Sequence, residues 1–200
     1  MIMDKEYWEN YYSKNFEPFA PSNFAKYVLN KLEEEASLID IGCGNGRDTI
    51  FFSSNRITTL GVDQSENIIK NLKKHENKSL KFKTSDIKNL KDTPFEYAYC
   101  RFLFHSINEE EEIILLNWLK KNITKKIFIE ARSDMDIDKY DKTDHYRRLM
   151  NISKFRQLLS EINLTIEEEE ISNKFSIYNK IYNVSDVNFD PTLIRLVLKS

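Results

Sequence analysis

The chain has 200 residues, 40% of them hydrophobic, and this length suits one domain with a sizeable core. The formal net charge is -2, so no strong field attracts nucleic acid or an anionic membrane, and neither is expected as a partner. Two cysteines exclude a disulfide framework, and no stretch reaches the roughly 20 apolar residues that span a bilayer, so a cytoplasmic protein without a metal is expected.

The first 35 residues carry no strand pattern and are predicted to be helical. Ser22 or Asn23 is the predicted N-cap of a helix over 24–35. Before it, aromatic residues recur at helical spacing and indicate a short amphipathic helix: Tyr7, Trp8, Tyr11 and Tyr12. Two explanations of these aromatic residues are equally open: packing of the helix against the domain, and contact with a ligand.

From residue 37 onward, strands and helices alternate at short spacing. Strands are predicted over 37–41, 57–62, 80–84, 95–104, 126–131, 163–171 and 193–198. Helices are predicted over 47–55, 66–75, 109–121 and 152–162. This alternation is typical of a parallel sheet with helices on both faces. We therefore expect a single α/β domain over 1–200, with a doubly wound, mostly parallel seven-stranded sheet and a late antiparallel hairpin.

The first strand ends in a glycine-rich turn, Gly42-Cys43-Gly44-Asn45-Gly46, which leads into a helix. Glycines there let the backbone turn sharply and approach a ligand closely. Asp63, at the end of the next strand, can accept hydrogen bonds from both ribose hydroxyls of an adenosine. A dinucleotide fingerprint needs a glycine where Arg47 stands, so an adenosine with an uncharged or cationic tail is favoured. An ordinary strand–helix turn, with Asp63 as a helix cap, is the alternative.

Residues 40–46 resemble motif I of the class I S-adenosylmethionine (SAM)-dependent methyltransferases, and Asp63 matches the ribose-binding acid of that family. Ser85-Asp86-Ile87 is similar to the segment in which an acid meets the adenine amino group. The resemblance implies a Rossmann-like fold, SAM as the cofactor and an N-terminal helical lid over 1–35. It also implies that the cofactor is lined by Tyr12, Gly42, Cys43, Gly44, Asn45, Arg47, Asp63, Gln64, Ser65, Asp86, Ile87 and Phe102. Cys43 is interpreted as a small filler and not as a reactive thiol.

The methyl acceptor is expected beyond the carboxyl ends of the fourth and fifth strands. An oxygen or nitrogen acceptor can require a base, and His105 and His145 are the candidates because imidazole is partly neutral near pH 7. Arg132 and Arg148, with Tyr146, are predicted to bind an anionic substrate through paired hydrogen bonds. A satisfied structural role is the alternative for each of these residues.

A narrower resemblance rests on residues 101–105, 130–133, 144–148 and 191–195, which are similar to small bacterial methyltransferases that decorate surface polysaccharides. It implies O- or N-methylation of a small anionic, phosphate-containing acceptor in polysaccharide biosynthesis. Arg195 belongs to this pattern, or is a surface arginine on an edge strand, and Arg101 is expected to pair with an acid beneath the site. The alternatives are methylation of a metabolite carboxylate or thiol, a SAM-binding sensor or scaffold, and a nucleotide-dependent oxidoreductase.

Overall fold

A computed structural model describes residues 6–11, 18, 20–139, 148–175 and 190–199. The strands are β1 (Ser37–Ile41), β2 (Thr58–Asp63), β3 (Leu80–Thr84), β4 (Phe95–Arg101), β5 (Ile123–Arg132), β6 (Thr165–Ser172) and β7 (Leu193–Lys199). The helices are α1 (Asn23–Leu29), α2 (Arg47–Ser54), α3 (Glu66–Leu72), α4 (Glu109–Asn122) and α5 (Ile152–Glu161). Residues 6–11 are also helical. Short 3-10 turns span Lys73–His75, Ile87–Asn89 and Asp134–Lys139.

The seven strands form one sheet in the order β3-β2-β1-β4-β5-β7-β6. The first five strands are parallel, and β7 runs antiparallel to both β5 and β6. This confirms the predicted doubly wound, mostly parallel sheet with late antiparallel pairing. The chain moves outward from β1 to β3 and then returns to β4 on the other side of β1. Such a reversal opens a crevice at the carboxyl ends of β1 and β4.

Apolar side chains cover both faces of the sheet, which explains why its central strands are hydrophobic at successive positions. On one face, α4 and α5 pack Leu115 and Phe155 against the strands. On the other face, α1 and α2 pack Phe24 and Phe52 against Tyr99 and its neighbours. No helix within the described ranges is both long enough and apolar enough to cross a membrane.

Several predicted element boundaries are wrong, among them the ends of β4 and α1. β4 ends at Arg101 and not at residue 104, because Phe102 adopts a left-handed backbone with φ of +59°. An L-residue in that conformation cannot continue a strand. α1 ends at Leu29 and not at residue 35, and turns carry the chain from there into β1. The early end of β4 places the loop that follows it at the mouth of the crevice.

Candidate active site

The turn between β1 and α2, called here the glycine turn (residues 42–46), is held by its own backbone. Gly42, Gly44 and Gly46 all have positive φ angles, of +77°, +52° and +74°. The N–H group of Gly42 donates to the carbonyl of Val62 at 2.8 Å, which ties the turn to the end of β2. A Cβ on Gly46 would lie 2.7 Å from Leu72 Cδ2. The third glycine therefore allows α3 to pack closely.

Asp63, the last residue of β2, lies directly beside the glycine turn. Its Oδ2 accepts the N–H of Gly44 at 2.9 Å, and its Oδ1 accepts the N–H of Ser65 at 3.0 Å. A carboxylate offers about four lone-pair sites, so Asp63 has acceptor capacity beyond the nearby backbone N–H groups. The side chain is only 8% exposed, and burial raises the pKa of Asp63 while the two N–H groups oppose that rise. This placement suits the predicted ribose contact.

The helical residues 6–11 reach the same end of the site through Glu9, which the sequence reasoning missed. Ser65, the N-cap of α3, donates its hydroxyl to Glu9 Oε2 at 2.9 Å. The N–H of Glu66 donates to Glu9 Oε1 at 2.8 Å. The negative charge of Glu9 also contributes to the raised pKa of Asp63. The contact joins residues more than fifty positions apart, so no local pattern in the sequence pointed to it.

A buried acid, Asp40, lies in β1 just before the glycine turn. Thr49 in α2 donates its hydroxyl to Asp40 Oδ2 at 2.6 Å. Burial raises the pKa of Asp40 to about 8, and the charges of Asp48 and Asp63 add to this. Asp40 belongs to the motif over residues 40–46 but is not among the predicted site residues. Its burial in a strand, which raises the pKa, had no signal in the sequence.

Ser22 confirms the predicted N-cap of α1 and also connects that helix to the glycine turn. Its hydroxyl accepts the N–H of Ala25 at 2.9 Å and donates to Asp48 Oδ2 at 2.8 Å. Tyr99 in β4 donates to the same carboxylate oxygen at 2.8 Å. Arg47 Nε lies 3.6 Å from Asp48 Oδ1, so the positive charge of Arg47 is matched from within the protein. α1, α2 and β4 are thereby joined at one buried carboxylate.

The remaining cofactor-side predictions fall on varied positions. Asp86 is exposed and caps the turn Ile87–Asn89, where Asn89 donates to its carboxylate from both the backbone and the side chain. Ile87 packs against the hydrophobic core, and Gln64 is half-buried.

Cys43 and Asn45 are buried within the glycine turn, and burial raises the pKa of the Cys43 thiol well above its usual range. This agrees with Cys43 as a filler. Tyr12 lies outside the described residues.

The loop after β4 brings His105, Phe102 and Arg132 together. The Phe102 ring centroid lies 5.2 Å from that of His105 and 5.6 Å from Cζ of Arg132. His105 is only 4% exposed, and its Nδ1 accepts the backbone N–H of Arg132 at 3.2 Å. That bond assigns the proton of the neutral imidazole to Nε2. In this state the imidazole is a hydrogen-bond donor and not a proton acceptor.

Arg148 reaches the same loop, but its charge is matched by α4. Its Nη2 lies 2.8 Å from Glu112 Oε1, and its Nε donates to the carbonyl of Ile107 at 3.3 Å. Its backbone N–H donates to the carbonyl of His105 at 2.8 Å. The predicted substrate contact would have to compete with these partners. His145 and Tyr146 lie outside the described residues.

Three charged residues, called here the arginine row (Arg101, Glu130 and Arg195), stand in register across β4, β5 and β7. Arg101 Nε donates to Glu130 Oε1 at 2.8 Å, and Arg195 Nε donates to Glu130 Oε2 at 2.7 Å. The expectation that Arg101 pairs with an acid is confirmed. The alternative that Arg195 is a surface arginine on an edge strand is wrong, because β7 lies between β5 and β6 and Arg195 is 8% exposed.

Comparison with known proteins gives the site its family context. Residues 38–122 match a family model described as a methyltransferase domain. A protein of Invertebrate iridescent virus 6, provisionally named methyltransferase 235L, is 26% identical over 189 residues, which cover 88% of this chain and 70% of the viral protein.

Solved structures share the fold. A SAM-dependent methyltransferase from Methanosarcina mazei has a TM-score of 0.71 and 14% identity, over 86% of this chain and 96% of that one. Magnesium protoporphyrin IX methyltransferase from Synechocystis PCC 6803, solved with bound S-adenosylhomocysteine (SAH), has a TM-score of 0.64 and 14% identity, over 88% and 80%. The described fold is therefore that of the class I SAM-dependent methyltransferases, and residues 38–122 match a methyltransferase domain.

Proposed function

We propose that the chain transfers the methyl group of SAM to an oxygen or nitrogen atom of a small anionic acceptor. The observation that supports an anionic acceptor is the position of Arg132, which ends β5 beside Phe102 and His105 at the crevice. A planar guanidinium at such a place suits a carboxylate or phosphate oxygen. The acceptor would lie over the carboxyl ends of β4 and β5.

On the cofactor side, Asp63 would accept hydrogen bonds from the two ribose hydroxyls, and the glycine turn would line the methionine part of SAM. The structure suits this because Asp63 is buried, is held by backbone N–H groups of Gly44 and Ser65, and retains acceptor capacity. When bound, SAM supplies a methyl group on a positively charged sulfur. In the same proposal, Asp86 contacts the adenine and Arg47 lies near the SAM carboxylate.

On the acceptor side, His105 would orient the acceptor by donating a hydrogen bond from Nε2. In-line displacement requires the nucleophile to be close to the methyl carbon and collinear with the bond that breaks. Because Nδ1 of His105 already accepts from Arg132, this histidine is better suited to orientation than to proton removal. His145 remains the proposed base, and Tyr146 and Arg148 remain proposed acceptor contacts.

The finer form of the proposal is a phosphate-containing acceptor used to build surface polysaccharides. It is supported by the narrower resemblance, and by the number of arginines at the carboxyl ends of β4 and β5. Methylation of a metabolite carboxylate or thiol is the alternative acceptor chemistry.

The test is a screen of small molecules in phosphorylated and unphosphorylated pairs, read as release of SAH. We expect turnover only with the anionic member of a pair. Arg132→Gln should lower kcat/KM at least about tenfold, which corresponds to about 1.4 kcal/mol, with SAM affinity unchanged. Arg56→Gln, at an exposed arginine, is the matched control and should have no effect. Equal turnover of the uncharged members would overturn the proposal.

A further inference from the structure

The arginine row holds more positive than negative charge. Two guanidinium groups, those of Arg101 and Arg195, share the single carboxylate of Glu130, which is 2% exposed. Both arginines use only Nε for this purpose, so each oxygen of Glu130 receives one N–H group from the row. Burial of a charged donor group is costly unless its N–H groups find acceptors.

One atom of the row has no partner. Nη2 of Arg195 is buried and makes no hydrogen bond in the described part of the chain. A guanidinium Nη2 carries two N–H donors, and buried donors of this kind are nearly always satisfied in native proteins. In register with Arg195, Glu170 on β6 is exposed and forms no ion pair with it among the described residues. Arg195 therefore has hydrogen-bonding capacity that its own neighbours do not use.

Aromatic rings fix the guanidinium of Arg195 in place. Its Cζ lies 3.8 Å from the ring centroid of Phe175, 5.2 Å from that of Phe24 and 5.6 Å from that of Tyr27. These rings stabilise a cation and limit access of water, but a ring face is not an oxygen acceptor. Together with the bond to Glu130, they preorganise Arg195 for a planar oxyanion.

We propose that Arg195 anchors the anionic group of the methyl acceptor, with a phosphate or carboxylate oxygen accepting from Nη2. This rests on the proposed function and adds where the anion is held. Glu130 acts as a positioning residue, because its second oxygen holds Nε of Arg195.

The two guanidinium groups meet at one carboxylate, so Arg195 lies close to Arg101, which ends β4 at the crevice. The proposed substrate class is a small molecule with a phosphate or carboxylate that is anchored by Arg195 and a separate hydroxyl or amine that is methylated.

The experiment is calorimetric titration of the SAH-saturated chain with inorganic phosphate and, separately, with acetate. We expect saturable binding of at least one probe, and the stronger of the two distinguishes a phosphate anchor from a carboxylate anchor. Arg195→Gln should weaken that binding at least tenfold without changing SAH affinity. Arg156→Gln is the matched control, because Arg156 is an exposed arginine paired with Glu169. It should bind the probe as the unaltered chain does.

Arg195→Lys keeps the test decisive if Arg195→Gln fails to fold. A lysine retains a positive charge for Glu130 but lacks the Nη2 donors, so the chain should fold, bind SAH normally and still lose the probe. Absence of saturable probe binding, or equal binding by these variants, would overturn the anchor. If an anionic acceptor is methylated equally well by Arg195→Gln, the anchor fails while the proposed function stands. If only uncharged acceptors are methylated, the proposed function fails.

Discussion

The two halves of the site are built from different parts of the chain. Around the glycine turn, Asp63 is held by backbone N–H groups of Ser65, two positions away, and of Gly44, 19 positions away in the preceding turn. Around the ends of β4, β5 and β7, the arginine row is held by side-chain charges from distant positions. In the proposed function, backbone geometry serves the cofactor, which is constant across a family. Side-chain charges can be exchanged one at a time, so acceptor specificity can change while the fold stays the same.

The largest expected effect is on the charged half. Glu130→Ala leaves buried Arg195 and partly buried Arg101 without their acid, and we expect a loss of about 3–5 kcal/mol in the free energy of unfolding. Urea unfolding followed by circular dichroism measures it. Glu170→Ala, at an exposed acid in register with Arg195 on β6, is the control and should change stability by no more than about 0.5 kcal/mol. Similar losses in the two variants would show that the arginine row does not hold this half together.

A smaller effect is expected on the cofactor half, through Asp40. Its pKa of about 8 in the folded chain lies above its ordinary value of 3.8, so the folded state retains a proton that the unfolded state loses. Stability should therefore fall as the pH rises from about 4 to 8, by at most about 1.4 kcal/mol per pH unit. Asp40→Asn removes this slope and can still accept from Thr49. The stability of Asp40→Asn, compared with that of the unaltered chain at the same pH, should rise between pH 5 and pH 8.

The matched control for Asp40→Asn is Asp92→Asn. Lys121 lowers the pKa of exposed Asp92, so Asp92 is ionised in both the folded and the unfolded chain above about pH 5. The stability difference for Asp92→Asn should be constant between pH 5 and pH 8. An equally flat difference for Asp40→Asn would show that this acid is ionised in the folded chain throughout that range.

The sequence predicted the fold well because the fold depends on local patterns. Strand and helix periodicity indicated the sheet, and a glycine-rich turn followed by an acid after the next strand indicated the ligand class. The end of β4 was misplaced because Phe102 continues an apolar run, and nothing in that run marks its left-handed backbone.

The acceptor half could be predicted only in part. His105 and Arg132 were expected near the crevice, and the structure brings them together. The role of Glu130 and the burial of Arg195 depend on the pairing of β5 with β7, which joins residues 65 positions apart. A single sequence does not reveal such long-range partners, so Arg195 could not be distinguished from a surface residue.

The central claim is that the glycine turn and Asp63 together hold SAM. The most direct measurement is calorimetric titration of SAM and SAH into the unaltered chain, Asp63→Ala and the exposed control Asp92→Ala. We expect Asp63→Ala to bind both ligands more weakly by about 1–3 kcal/mol, because the ribose hydroxyls lose their acceptor, with Asp92→Ala unchanged. Equal affinities in all three proteins would contradict the claim.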